Sequence, residues 1–306
     1  LPSFFRFLWD RPALLLVLPP LIWSTHMTLS RAIAETFPPF TLTLVRWIVA
    51  TAVLAPFVWT PARQQWPLIR RHWLLIAISG ATGMVGYSAL AYIALRTTLA
   101  ANLAFINSIL PLLVPVVAFF LARETVRPRV LAGLVVSCAG VAWIMGRGDP
   151  SALLALDFSE GDLLAVAAVL CYALYSVLIR RKPPGLDLMV FLLAGMVAGA
   201  VLSLPFAAVE AAQCHFLPVN GWSLFVVLYI GLVISLGAYM LWSHCVAALG
   251  ATITGVSYHL LSVFTPLLAY ATLGERLAVY HAVGIALILA GVALSTLGNT
   301  ANKVND

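Results

Sequence analysis

Charge is what this chain has least of. Lys, Arg, Asp and Glu together make up 9% of its 306 residues, against about a quarter in a soluble domain. With 62% of residues hydrophobic, an ordinary water-soluble fold is excluded and a membrane-embedded one expected. Cysteine is scarce as well. Cys138, Cys171, Cys214 and Cys245 form no C-x-x-C pair and lie in or beside apolar runs. Neither a zinc site nor a disulfide framework follows, and small apolar side chains in packed helices are expected. No P-loop, G-x-S-x-G elbow or H-E-x-x-H motif occurs. ATP hydrolysis, an enzyme of those classes and a bound cofactor are therefore not expected.

Carboxylates are missing where they would matter most. All 11 acidic residues, from Asp10 to Asp306, fall in loops or at the ends of apolar runs. A carboxylate at mid-membrane depth is the usual partner of an organic cation or a coupling proton, so a transporter that grips cations with a buried Glu is not indicated.

The apolar runs that are present have the length of bilayer spans, about 20 residues each. They cover roughly 12–31, 39–59, 73–94, 98–122, 129–146, 162–180, 187–209, 222–248, 251–273 and 278–298. They are continuously apolar and do not alternate with period two, which excludes a β-barrel. The net charge of +6 invites a nucleic-acid partner until the charges are placed. With the N-terminus inside, twelve of the 17 basic residues (Arg6, Arg11, Arg63, Arg70, Arg71, Arg123, Arg127, Arg129, Arg180, Arg181, Lys182 and Lys303) fall on the cytoplasmic side. Arg31, Arg96, Arg147 and Arg276 fall on the other. This positive-inside bias places both termini in the cytoplasm, and contact with lipid replaces nucleic acid as the expected partnership. Arg6 and Arg11 before an apolar run, with Ala32-Ile33-Ala34 after it, imitate a secretory leader. The internal copy of that run at 162–180 argues for a true span.

That internal copy extends along the chain. A shift of 149 places Leu14-Leu15 on Leu163-Leu164, Arg31 on Arg180, Pro56-Phe57 on Pro205-Phe206 and Trp73 on Trp222. A shift of 151 places Gly80 on Gly231, Gly86 on Gly237, Pro115 on Pro266, Glu124 on Glu275, Gly133 on Gly284 and Ala139–Ala142 on Ala290–Ala293. The slip lies inside one hydrophobic segment. Five spans per copy turn the second copy over relative to the first, the architecture of alternating-access transporters. The sequence thus predicts an all-α integral membrane protein. It has ten transmembrane helices as two inverted five-helix repeats, 1–150 and 151–306, with both termini cytoplasmic.

Proline falls within the spans at Pro19-Pro20, Pro56, Pro111, Pro115, Pro205 and Pro266, and predicts kinks there. Gly133 and Gly140, Gly284 and Gly291, Gly195 and Gly199, and Gly80, Gly83 and Gly86 predict close helix contacts, with a monomer or homodimer both compatible. Arg46 is the one charge well inside a span, about 10 Å deep at 1.5 Å per residue. It either snorkels to the outer surface or meets a substrate carboxylate, and snorkelling is the expectation.

Polar and aromatic side chains gather on spans 1, 3, 4, 6, 8 and 9: Trp23 and His26; Tyr87 and Tyr92; Asn102, Asn107 and Ser108; Tyr172 and Tyr175; Tyr239, Trp242 and His244; Tyr258, His259, Ser262 and Thr265. Spans 5 and 10 carry few and read as outer scaffold. The candidate substrate-binding residues are Trp23, His26, Tyr87, Asn102, Asn107, Tyr172, Tyr175, Tyr239, Trp242, Tyr258 and His259. Aromatic walls with scattered hydrogen-bonding groups suit a small ligand of mixed polarity. Interface anchoring is the plainer reading for any single aromatic, such as Tyr92 or Trp242 near a span end.

Gly274-Glu275-Arg276 followed by Gly284 through Val292, and the looser Ala122-Arg123-Glu124 followed by Gly133 and Ala139-Gly140-Val141, resemble the drug/metabolite transporter superfamily in its ten-span EamA-type branch. Pro19 through Trp23 and the Arg46-Trp47 pair resemble that branch's first two spans. Ala122-Arg123 stands where the family usually has Leu-Gly. The chain looks most like the YddG-type aromatic amino-acid exporters of bacterial inner membranes. The resemblance implies a secondary transporter that exports aromatic and other small neutral amino acids, and some xenobiotics. A multidrug or nucleotide-sugar exporter of the same fold is the alternative, although phosphate would ask for more buried cations than Arg46. A passive channel and a membrane-embedded enzyme using His259 and Ser262 are weaker readings.

Overall fold

The computed structural model describes residue 9 and residues 11–33, 36–94, 106–123, 125–149, 160–213, 216–273 and 278–296. Among these residues the ordered structure is helical, without a strand. After a short turn of helix at Pro12–Leu15 come α1 (Leu18–Ile33), α2 (Pro39–Gln64), a six-residue helix Trp66–Arg71, and α3 (Trp73–Gly80, Ala81–Gly86 and Tyr87–Ala94 in sequence). Then follow α4 (Leu110–Ala122), α5 (Pro128–Met145), α6 (Glu160–Arg180) and α7 (Leu188–Ala212). The last three are α8 (Gly221–Leu228, Tyr229–Gly237 and Ala238–Leu249), α9 (Ala251–Ser257, Tyr258–Leu260 and Leu261–Leu273) and α10 (Val279–Thr296). Among the described residues eight helices are long and apolar enough to cross a bilayer, and Pro12–His26 and Leu110–Leu121 are shorter apolar helices. Residues 98–105, the start of the expected fourth span, lie outside the described residues.

Proline explains where the two short helices begin. Pro19 and Pro20 lack the N–H groups that would bond the carbonyls one turn back, so the chain breaks at Leu16 and Val17 and α1 starts at their expense-free first turn. Pro111 likewise sits in the first turn of α4. Pro56, Pro115, Pro205 and Pro266 are inside continuous helices. The large apolar side chains left outward, such as Phe57, Phe120 and Leu163, are 80%, 73% and 73% exposed. Such a surface belongs in lipid.

The two copies are related structurally as well as in sequence. α3 and α8 each contain a π-helical stretch, Ala81–Gly86 and Tyr229–Gly237. A π turn takes in one more residue than an α turn. The slip of the repeat from 149 to 151 falls between Trp222 and Gly231, where the second copy has the longer π stretch, 9 residues against 6. The irregular turn at Ser108-Ile109 before α4 matches the 3₁₀ turn Tyr258–Leu260 in α9 at the same offset.

Glycine contacts give the symmetry its direction. A Cβ on Gly140 would lie 2.7 Å from the Gly284 carbonyl, and one on Gly284 would lie 2.8 Å from the Gly140 carbonyl. Gly133 faces Gly291 and Ser295. The earlier glycine of α5 thus meets the later glycine of α10, so these equivalent helices run antiparallel in backbone contact. A second pair repeats the point. Gly80 of α3 abuts the Gly195 carbonyl of α7, and Gly231 of α8 abuts the Arg46 carbonyl of α2. Each contact is the other's image in the repeat.

α2 and α7 also cap one another. Glu210, near the end of α7, accepts hydrogen bonds from Phe40 N at 2.9 Å, Thr41 N at 2.6 Å and the Thr41 hydroxyl at 2.8 Å. It thereby satisfies the open N–H groups of α2. At the other end Gln65 Oε1 accepts from Asp187 N at 2.7 Å, and Asp187 caps its own helix through Met189 N and Val190 N. Glu210→Ala is expected to lower stability by about 1.5–3 kcal/mol, the range for hydrogen bonds to a charged group. Glu210→Gln is expected to lose less. Equilibrium unfolding in mixed micelles measures both.

Candidate functional site

The helices bring seven of the expected aromatic residues to one place. Trp23 of α1 lies 5.8 Å from Tyr172, 5.9 Å from Tyr239, 5.3 Å from Trp242 and 5.9 Å from Tyr258 by ring centroids. Tyr172 of α6 lies at the hub and also touches Tyr87 and Tyr175, at 5.8 and 5.7 Å. α1 and α3 come from the first half and α6, α8 and α9 from the second, so the cluster straddles the repeat interface. Except for half-buried Tyr87 the rings are buried. They pack directly on one another in edge-to-face and tilted pairs, with no stacked pair among them. The aromatic walls expected from the sequence are in contact with each other, so a ligand reaches this level only when the rings part.

Hydrogen bonds fix the rings from behind. The π-helical stretch of α3 supplies two carbonyls: Tyr239 Oη donates to Gly83 O at 2.8 Å and Trp47 Nε1 to Met84 O at 2.9 Å. Gly83 has to be glycine, because a Cβ there would fall on the ring of Tyr175. Trp242 Nε1 donates to Ser176 Oγ at 3.2 Å, Tyr175 Oη pairs with Ser243 Oγ at 3.3 Å, and Tyr87 Oη donates to Asn107 Oδ1 at 3.0 Å. The Tyr172 hydroxyl, buried at the hub, has no hydrogen-bond partner among the described residues.

Other expected residues are placed differently. Asn102 lies outside the described residues, as does the side chain of Tyr92. His26 is half-buried on α1, within electrostatic reach of Arg46. His259 does not join the rings. It is buried against α5, with Nδ1 2.7 Å from Ser137 Oγ and Nε2 3.2 Å from Ser108 O. His244 is also elsewhere, stacked on Trp9 at 4.1 Å with Nε2 2.9 Å from the Trp9 carbonyl.

Arg46 departs most from expectation. It does not snorkel: it is 7% exposed, donates to Ser88 Oγ at 2.8 Å and lies 4.9 Å over the Trp47 ring. Trp47, which stands out in the sequence only as Arg46's neighbour, is fully buried. Its ring meets Tyr239 edge-on at 5.1 Å. Ser88, Ser176 and Ser243 carried no sequence signal of their own, because a single small hydroxyl in an apolar helix is unremarkable until its partner is known.

A cavity of about 210 Å³ opens at one end of the bundle, lined in part by Thr125, Arg127, Arg180, Gly250 and Thr252. From that mouth α9 runs inward to Tyr258, seven residues or about 10 Å at helical rise. The Gln65–Asp187 bond and the approach of Leu68 to Gly185 join the loops after α2 and α6.

A multi-pass helical membrane protein with an aromatic cluster between two antiparallel repeats has the form of a small-molecule transporter in a lipid environment. The chain belongs to the EamA-like transporter family, whose model matches residues 11–146 and again 159–297. It is 28% identical to the aromatic amino acid exporter YddG of Ancylobacter novellus, over 90% of this chain and 94% of that protein. It is 26% identical to an uncharacterised transporter of Archaeoglobus fulgidus, over 92% and 96%, and 25% identical to the transporter YetK of Bacillus subtilis, over 90% and 84%. A solved crystal structure at 25% identity aligns over 96% of this chain and 99% of its own with a TM-score of 0.73.

Proposed function

We propose that this protein is a secondary transporter that exports small neutral or aromatic amino acids across a bacterial inner membrane by alternating access. The observation that carries the reading is the ring cluster, built from both repeats and positioned where one repeat would rock against the other. Residues 1–150 and 151–306 are the two moving halves, each of five spans, with both termini cytoplasmic. Trp23, Tyr87, Tyr172, Tyr175, Tyr239, Trp242 and Tyr258 are the substrate-binding surface once the rings part, with Asn107 holding Tyr87. Aromatic faces accept both an aromatic side chain and an ammonium group. The similarity to an exporter of aromatic amino acids supports the substrate class. The mouth lined by Arg127 and Arg180 is the cytoplasmic access, in keeping with the positive-inside bias of the chain.

Counterflow in proteoliposomes tests this. Labelled phenylalanine outside is expected to accumulate when Phe, Trp or Thr is preloaded inside, and not when Glu is. Accumulation driven only by an aromatic cation would keep the fold and remove the amino-acid assignment. Equilibration without any effect of preloading would identify a channel, which does not exchange.

A further inference from the structure

Arg46 is a guanidinium inside an apolar helix bundle whose charge no carboxylate among the described residues neutralises. Of its five N–H donors, the structure engages one nitrogen, through Ser88 Oγ at 2.8 Å. Its Nε is buried and has no hydrogen-bond partner, and no carboxylate among the described residues pairs with it. Buried charges in proteins are paired, because an unpaired one is costly to desolvate. A structural arginine would therefore have its donors satisfied.

The repeat supplies an internal control. The position equivalent to Arg46, by the shift of 149 that relates α2 to α7, is Gly195. The backbone of Gly195 packs on Gly80 just as that of Arg46 packs on Gly231. The helix contact is thus made in one half with no side chain at all, so packing does not require the charge. The guanidinium also lies beside the ring cluster. It sits over Trp47, whose ring abuts Tyr239. At the hub of the rings the Tyr172 hydroxyl is another buried group without a hydrogen-bond partner among the described residues, as are the hydroxyls of Thr51, Ser79 and Ser235 and the Trp143 indole N–H elsewhere.

The geometry points to Arg46 as the residue that receives the carboxylate of the transported molecule, with Ser88 orienting the guanidinium and the aromatic faces taking the rest of the ligand. Arginine matches a carboxylate with two parallel N–H donors, and the free Nε provides one of them. The site then selects substrates that bear a carboxylate, whether or not they also carry an amine. A decarboxylated amine meets an unshielded positive charge and is rejected. This rests on the ring cluster being the transport site, and it names the part of the amino acid that the site recognises, its carboxylate.

The test is calorimetric titration of the full-length protein in detergent with three ligands that share a phenyl ring: phenylalanine, 3-phenylpropionate and phenethylamine. The unaltered protein is expected to bind the first two and to bind phenethylamine at least tenfold more weakly. Arg46→Gln is expected to weaken phenylalanine and 3-phenylpropionate by about ten- to hundred-fold, the scale of a charge-assisted hydrogen bond, and to leave phenethylamine unchanged or tighter. Arg46→Lys, which keeps the charge and loses the fork, falls between. Equal binding of phenethylamine and 3-phenylpropionate by the unaltered protein overturns the assignment. So does undiminished 3-phenylpropionate binding by Arg46→Gln, or no binding of either carboxylate. If Arg46→Gln does not fold, the comparison of ligands on the unaltered protein still decides. Selective 3-phenylpropionate binding without amino-acid counterflow would sink the amino-acid reading and keep the role of Arg46. Amino-acid counterflow that survives in Arg46→Gln would do the reverse.

Discussion

Trp23→Ala is expected to abolish amino-acid counterflow and to lower stability by about 3–5 kcal/mol, the range for removing a buried tryptophan. Trp23 is the only residue that α1 contributes to the described ring cluster, and it touches four rings on three helices of the other half at 5.3–5.9 Å. Removing it leaves a void where Tyr172, Tyr239, Trp242 and Tyr258 meet, and the void has to be filled by rings turning out of their present edge-to-face and tilted contacts. Trp23→Phe retains a ring with part of the contact and is expected to keep measurable exchange. Exchange is measured in proteoliposomes and stability by unfolding of the same preparation. Trp23→Ala protein that remains folded and exchanges at the unaltered rate would show that substrate passes elsewhere.

The parts of this structure that were legible in the sequence are those set by local pattern or by the repeat. Gly133, Gly140, Gly284 and Gly291 announce a close contact because only a missing side chain lets two backbones meet, and α5 and α10 meet there. Trp23, Tyr172, Tyr239, Trp242 and Tyr258 could be grouped because large aromatics with polar tips are conspicuous in otherwise aliphatic spans. What the sequence does not carry is which face of one helix meets which face of another. Glu210 reads as a carboxylate at a span end. Its partners at Phe40 and Thr41 lie about 170 residues away in sequence, and no spacing rule connects them. Arg46 reads as a residue shallow enough to snorkel. Its burial comes from α3, which presents Ser88 to it.

Polarity alone groups Tyr258 with His259, but neighbouring residues on a helix point about 100° apart. Tyr258 faces the rings and His259 faces Ser137 on α5, so the two belong to different surfaces. The π-helical stretches are a further feature that composition does not carry. Gly83 and Met84 carbonyls are available to Tyr239 and Trp47 because the α ladder is interrupted there, and hydropathy has no way to register that.

Gly140→Leu and Gly284→Leu are each expected to collapse the folded yield of the protein. The effect should be far larger than that of leucine placed at a lipid-facing position of the same helix, such as Val135→Leu, where the side chain is 58% exposed. A single Cβ at Gly140 would already stand 2.7 Å from the Gly284 carbonyl and 2.9 Å from Ile288 N, closer than unbonded atoms approach. The clash is with backbone on both sides, so no rotamer relieves it and the helices have to separate. Separation also breaks the bond from Arg129 Nε to the Leu294 carbonyl at 3.0 Å and the close approach of Ser295 to Gly133. In lipid no hydrophobic force draws the helices together again, because tails wet them as well as they wet each other. The smaller change Gly140→Ala is expected to cost about 1–3 kcal/mol by overpacking. It should leave the ranking of substrates in counterflow unaltered, since the α5–α10 glycine seam contributes no ring to the cluster. Detergent-stable yield and melting temperature measure the first effect, and competition among amino acids measures the second. A changed ranking in folded Gly140→Ala would mean that this seam moves during transport, and is not the fixed scaffold on which the two halves rock.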